Sequence, residues 1–187
     1  MTSHEDALTL ARYARACVRE ALGGPAAEPP RGGPFDEPGA VFVSLHRPGG
    51  RLQGCIGTLE PQRSLVEDVA KNARAAAFHD PRGVRLDHDD VEALEVEVSV
   101  LGPLEPVEAA DEEAACAALR PGVDGVLLAW GGRRATFIPQ MWEHFPDPRV
   151  LLSELKQKAG LPADFWAPDV RLWCYTATAA IDRPPGG

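Results

Sequence analysis

Apolar residues recur at Ala7, Leu10, Ala11, Ala14, Cys17, Val18 and Ala21, the three-and-four spacing that lines one face of a helix. Ser3 stands where it would cap that helix, and Gly23-Gly24 stops it near Leu22. The stretch 25–39 is rich in proline and glycine and reads as a loop, either ordered across a surface or mobile. Beyond it the period changes to two. Val41, Val43 and Leu45 alternate with Phe42, Ser44 and His46, Pro48-Gly49-Gly50 turns the chain, and Arg51 to Gly57 returns. This pattern predicts a β-hairpin. On strict alternation Leu52, Gly54 and Ile56 share one face of the return strand, and Gln53, Cys55 and Gly57 the other. Ser64 followed by Glu67 is a capping-box pattern; it opens a helix to about Phe78, closed by Asp80-Pro81.

Period two returns from Leu94 to Val100, with valines on one side and Glu95, Glu97 and Ser99 on the other. Asp111 caps a short alanine-rich helix that holds Cys116. The first pattern then recurs. Residues 125–130 read as a strand, Gly131-Gly132 as a turn and 133–138 as the return, with Pro139 leading into a helix. Val150 to Ala159 is amphipathic and stopped by Gly160, and Val170 to Thr178 reads as a final strand. Aligning the two Gly-Gly-Arg turns gives an offset of roughly 80 residues, within the range of a duplicated supersecondary unit. In that register Cys55 matches Phe137 and Gly54 matches Thr136. The elements predict one α+β domain over 1–187, with a helix and loop over 1–39, a first repeat over 40–105 and a second over 106–180.

The 187 residues suffice for a sizeable core. The formal net charge of −9 opposes binding to a phosphate backbone, so no nucleic-acid partner is expected. No apolar run approaches membrane-spanning length, and the acidic start does not read as a signal peptide. Cys17, Cys55, Cys116 and Cys174 form no close pair, which points to reduced thiols in the cytoplasm.

The candidate chemistry centres on Gly50-Arg51-Leu52-Gln53-Gly54-Cys55-Ile56-Gly57-Thr58. Glycine weakens a strand, so this density signals a bulge, or a close approach to the backbone, or an accessible thiol. Cys55 reads either as a small buried residue or as a nucleophile needing a base. His46, His79 and the more distant Glu97 are the candidate partners. Arg134, Thr136 and Lys158 form a second candidate set: either Thr136 borders one groove with Cys55 about a pseudo-twofold axis and Arg134 and Lys158 supply positive charge there, or Arg134 pairs with surface acids and Lys158 contacts the last helix carbonyls. No histidine or cysteine spacing fits a metal site, and the acids around His88 read as a solvated turn or helix start. No cofactor is implied.

The run Leu52-Gln53-Gly54-Cys55-Ile56-Gly57 resembles the Leu-Arg-Gly-Cys-Ile-Gly signature of the AMMECR-one domain family, also called AmmeMemoRadiSam system protein A. Residues 77–82, 97–101, 134–139 and 155–160 resemble further segments of that family, in the same order. The resemblance implies two repeats sharing a curved, barrel-like sheet. It also implies partnership with a Memo-like protein and a radical SAM protein in a modification pathway. Together with the repeat register, this puts the candidate substrate contacts at Gln53, Gly54, Arg134, Thr136 and Lys158, beside Cys55. Gln53 replaces the signature arginine, so an anion held there in the family would lose that contact here or gain it from another residue.

Overall fold

The structure is a computed structural model and describes residues 2–184. Two compact units divide the chain: residues 1–101 with 178–187, and residues 102–177. Within the described residues no helix is long and apolar enough to cross a membrane.

In the first unit α1 (His4–Ala21) begins at a capping box. The Asp6 amide donates to Ser3 Oγ at 3.1 Å, and the Asp6 carboxylate accepts the Ser3 amide at 2.8 Å. Its apolar stripe, Ala7, Leu10, Ala11, Ala14, Cys17 and Val18, is fully buried. The helix α2 (Leu65–Phe78) starts at the matching Ser64/Glu67 box. Both helices pack on one face of a four-stranded antiparallel sheet. Its order is β10 (Ala177–Asp182), β5 (Glu95–Leu101), β2 (Val41–Arg47) and β3 (Arg51–Gly57). Val41, Val43, Leu45, Val96, Val98 and Val100 form that buried face. The row Phe42, Ser44, His46 and its cross-strand partners Ser99, Glu97 and Glu95 therefore face away from the helices. Buried Arg15 ties α1 to the sheet edge and to α3 (His88–Ala93). It donates to Asp182 at 2.6 Å, to Val91 O at 2.7 Å and to Leu94 O at 2.9 Å. The proline-rich loop closes on the fold through a 3-10 turn, Gly33–Asp36, and a short ladder of β1 (Pro38–Gly39) with β4 (Arg63–Ser64).

The second unit holds β6 (Glu105–Pro106), β7 (Gly125–Trp130), β8 (Arg133–Phe137) and β9 (Arg171–Tyr175) in the order β6-β9-β7-β8. The helices α4 (Glu112–Ala118) and α5 (Pro148–Lys158) cover one face through Ala115, Leu151, Leu152 and Leu155. Each unit follows the same path. A hairpin is followed by a helix and then by a third strand antiparallel to the hairpin's first strand.

Hydrogen bonding places the strands in two four-stranded sheets and one two-stranded ladder, with no closed barrel among the described residues. The stretch 170–178 is not one strand. β9 ends at Tyr175, Thr176 O accepts the Gly102 amide at 2.8 Å, and β10 joins the first unit's sheet. Continuous alternation conceals this switch, because both segments are half-buried strands of period two. Pro139 opens only a 3-10 turn, Pro139–Glu143.

The return strand also departs from strict alternation. A bulge lies where Leu45 pairs with Gly54 but His46 pairs with Leu52, leaving Gln53 as the extra residue. Gln53 and Gly54 thus both meet the α2 side, while Leu52 and Cys55 share the other face. Gly54 is fixed by packing: a Cβ there would stand 2.1 Å from Ala76 O and 2.8 Å from Asp80 Cβ. Gly54→Ala should therefore cost about 3 kcal/mol of stability, since backbone rather than a flexible side chain must yield. Urea unfolding of both proteins measures this; a loss under about 0.5 kcal/mol, the range of an ordinary surface change, would show that the helix end moves aside.

Candidate functional site

β3 is the outer strand of its sheet, so alternate amides point away from β2 with no strand to receive them. The Cys55 amide is one of these, and the Asp80 carboxylate accepts it at 2.9 Å. Asp80 lies just past the end of α2. Its Oδ1 also accepts the Arg82 amide at 3.0 Å, and the Arg82 guanidinium grips both oxygens, at 2.9 and 2.6 Å. The Asp80 side chain is 1% exposed. The Arg82 bonds, with help from the Cys55 and Arg82 amides, hold its carboxyl far below the usual range against the opposing effect of burial. The same pairing raises the Arg82 guanidinium.

Gln53 is equally committed. Its amide nitrogen donates to Ala77 O at 3.2 Å and Val84 O at 2.7 Å, and its oxygen accepts from Arg47 Nε at 2.8 Å. A guanidinium does stand beside this position, then, although it comes from β2 and is also paired with Asp90 at 2.9 Å. Gly83 completes the contact, since a Cβ there would lie 2.5 Å from Gln53 O. Gln53, Gly54 and the Cys55 amide together form a strip docked on the turn after α2. Beside that turn lies a hollow of about 400 Å³ lined by Leu22, Phe78, Asp80, Val84 and Leu86.

The Cys55 side chain lies on the opposite face. It is directly across from Ser44, whose hydroxyl donates to Sγ at 3.1 Å, and Ser44 is directly across from Glu97. Cys55, Ser44 and Glu97 thus form one row over three strands. His46 shares this face but sits about 7 Å further along β2, opposite Leu52 and Glu95. His79 is not brought to Cys55. It caps the C-terminus of α2 and lines a hollow with Lys71 and Arg74 on the helix side of the sheet. The second glycine of the signature, Gly57, is required by the Phe42 ring, which a Cβ would meet at 2.3 Å.

In the second unit Thr136 and Lys158 do meet. Lys158 Nζ donates to Thr136 O at 2.9 Å and lies 5.0 Å from the Phe137 ring centroid. Thr136 Oγ1 donates to Val126 O at 2.9 Å and lies 2.8 Å from the Tyr175 hydroxyl. Arg134 is two residues before Thr136 on the same face of β8.

A sequence model of the AMMECR1 family matches residues 11–180. The chain belongs to the AMMECR1 family. A protein of Methanothermobacter thermautotrophicus is 34% identical to it over 180 residues, covering 94% of this chain and 93% of its own. One of Thermococcus gammatolerans is 36% identical over 187 residues, covering 95% and 91%. The crystal structure of uncharacterized protein PH0010 from Pyrococcus horikoshii is similar with a TM-score of 0.88 at 33% identity, over 97% of this chain and 93% of that one. AMMECR1 family membership thus agrees with the signature at Cys55, but these relatives bring no stated activity.

Sequence reasoning passed over Asp80 and Arg82. Asp80-Pro81 reads locally as the end of a helix and residues 77–82 as a segment resembling the family, and neither reading gives the Asp80 carboxylate or Arg82 a place at the site. A depressed carboxyl stabilises the fold above the unfolded value near pH 4 and loses that contribution as pH falls through the folded value. Asp80→Asn should therefore be clearly less stable than the native chain at pH 7, and the gap should narrow steadily toward pH 2. Urea midpoints across that range test this; a gap independent of pH would mean the charge on Asp80 is not what secures the turn.

Proposed function

We propose that this AMMECR1-family chain is a cytoplasmic component of a Memo-like and radical SAM modification pathway, and that the face carrying Cys55 receives its ligand. The pathway and the two partners come from the family resemblance. The site comes from one observation: the Ser44 hydroxyl donates to Cys55 Sγ at 3.1 Å, in a row that continues to Glu97. A strand face needing only to pack would not place a hydroxyl, a thiol and a carboxylate side by side, because buried polar groups cost free energy unless matched. Ser44 is only 7% exposed.

A second reading is favoured by the same contact. Hydrogen-bond donation to sulfur favours the charged form of a thiol, so Cys55 would serve as a nucleophile or thiol acid/base on a small molecule or peptide. Ser44 stands between the thiol and Glu97 and would connect them for proton transfer. The two readings separate cleanly. A binding component keeps its ligand in Cys55→Ser without any turnover to lose, whereas an enzyme loses turnover and keeps binding.

The thiols should differ in native reactivity. Burial pushes the Cys17, Cys116 and Cys174 thiols upward, and Cys17 is fully buried against Tyr13, itself pushed up to about 12 by burial and the Cys17 contact. Cys55 should be alkylated first by iodoacetamide at neutral pH, and Ser44→Ala should change its rate while leaving the other three alone. Peptide mass spectrometry reads each site. If Cys55 proves as inert as Cys17, neither reading of this face survives. Reciprocal tagging in the native cell, handled anaerobically, should recover the Memo-like and radical SAM proteins with this chain; their repeated absence would sink the pathway assignment while leaving the site untouched.

A further inference from the structure

Cys55 lies two residues past the bulged Gln53, on the outer strand of its sheet. Pairing with β2 fixes it on one side. Its amide points to the other side, where no strand follows, and Asp80 Oδ2 accepts it at 2.9 Å. The same oxygen accepts from Arg82 Nη2 at 2.6 Å, so the guanidinium stands within two hydrogen-bond lengths of the Cys55 amide. Asp80 Oδ1 accepts the Arg82 amide at 3.0 Å and Arg82 Nε at 2.9 Å. These Arg82 bonds close on Asp80 across Pro81, whose fixed φ stiffens the turn, and they leave the carboxylate little freedom to swing away from the strand. The sulfur is met from β2, where the Ser44 hydroxyl donates to it at 3.1 Å. Cys55 is thus held at both ends, its amide by an ion pair and its thiol by a hydroxyl.

We infer that Asp80 and Arg82 are positioning residues for the Cys55 thiol: they hold its strand at the amide and keep the charge behind it balanced. Their role rests on the reading of Cys55 as the thiol that this face presents to its ligand. Position comes from the rigidity of the acceptor. A carboxylate gripped at both oxygens by a guanidinium holds the amide at a fixed depth, and the distance from Sγ to the Ser44 hydroxyl follows from that depth. Balance comes from the pairing. With both charges present the pair shows the sulfur no net charge; with either removed, a whole unit charge remains beside the strand. A bare guanidinium there favours the thiolate, and a bare carboxylate disfavours it. On the thiol's own face, the titratable groups of β2 and β5 are Glu97, two strands away, and His46 and Glu95, one row further along. Changes at Asp80 and Arg82 leave those groups in place.

The rate of iodoacetamide alkylation at Cys55 in the full chain, followed by peptide mass spectrometry from about pH 6 to about pH 9.5, gives the midpoint of the folded thiol. Asp80→Ala should lower that midpoint and Arg82→Leu should raise it. Each shift should be about half a pH unit or more, the effect of one unit charge several ångströms away at a partly exposed site. Both substitutions break the same ion pair, so a turn that merely supported the fold would move the midpoint the same way in both, or in neither. Asp80→Asn removes the charge while keeping the shape, and it should lower the midpoint too should Asp80→Ala fold poorly. Cys174 lies in the other unit and should keep its own rate throughout. Hydrogen exchange reads the position directly. The Cys55 amide should exchange about tenfold faster or more in Asp80→Ala, the loss of one charge-assisted bond, while the amides of β2 stay as they are. Shifts of the same sign in the Asp80 and Arg82 variants, no shift in either, or a Cys55 amide that Asp80→Ala leaves unchanged, overturns the inference. A native chain whose Cys55 labels no faster than Cys17 fails earlier and differently: it removes the reading of that face, and the positioning role with it.

Discussion

The carbonyl oxygen of Ala76 stands 2.1 Å from where a Cβ of residue 54 would be. Much of the first unit follows from that approach. With α2 pressed onto β3, residue 54 must be glycine, and the turn after the helix comes within reach of the strand's outer amides. Asp80 then accepts the Cys55 amide, and Gln53 spends its amide on Ala77 and Val84. The glycines of the signature are therefore explained by packing, from Ala76 on one face and Phe42 on the other. They are not by themselves an argument for an accessible thiol. The Cys55 side chain points the other way, toward Ser44.

Both units face the same problem at their outer strands and solve it with opposite charges. In the first, the N–H of Cys55 faces outward and an acid beyond the helix end receives it. In the second, the C=O of Thr136 faces outward on β8 and Lys158, the last residue of α5, donates to it. An outer strand left with bare amide groups invites pairing with another chain, and a helix end packed alongside is the nearest source of a polar cap. Pairing shows that these two residues are equivalent. Cys55 lies opposite Ser44 and Thr136 opposite Leu127, each on the third position before the hairpin's last first-strand residue.

Periodicity made the helices legible, because Ala7 through Val18 and the capping boxes at Ser3 and Ser64 are local signals that tertiary packing did not override. The strands were legible as strands but not as pairings. A bulge belongs to two strands at once, so nothing in Leu52-Gln53-Gly54 alone reveals that Gln53 is the extra residue. Strict alternation therefore put Gln53 with Cys55, and aligning the turns matched Cys55 with Phe137 when pairing matches it with Thr136. Asp80 was legible as a turn residue, whereas the direction of its carboxylate is set by a strand some 25 residues earlier.

The shared path of the two units also separates what packing demands from what it does not. In the second unit the central row reads Thr136, Leu127 and Trp173, with the Thr136 hydroxyl spent on Val126 O. An apolar centre and a hydroxyl bonded to backbone suffice there for a buried sheet face. The first unit places Cys55, Ser44 and Glu97 in the same three positions. It thus replaces an apolar centre with a hydroxyl aimed at sulfur, and an aromatic flank with a carboxylate. Each exchange lowers the apolar area available for burial and adds polar atoms that need partners. The second half of the fold carries the apolar version of this row, so the shared path of the two units does not by itself require the polar one.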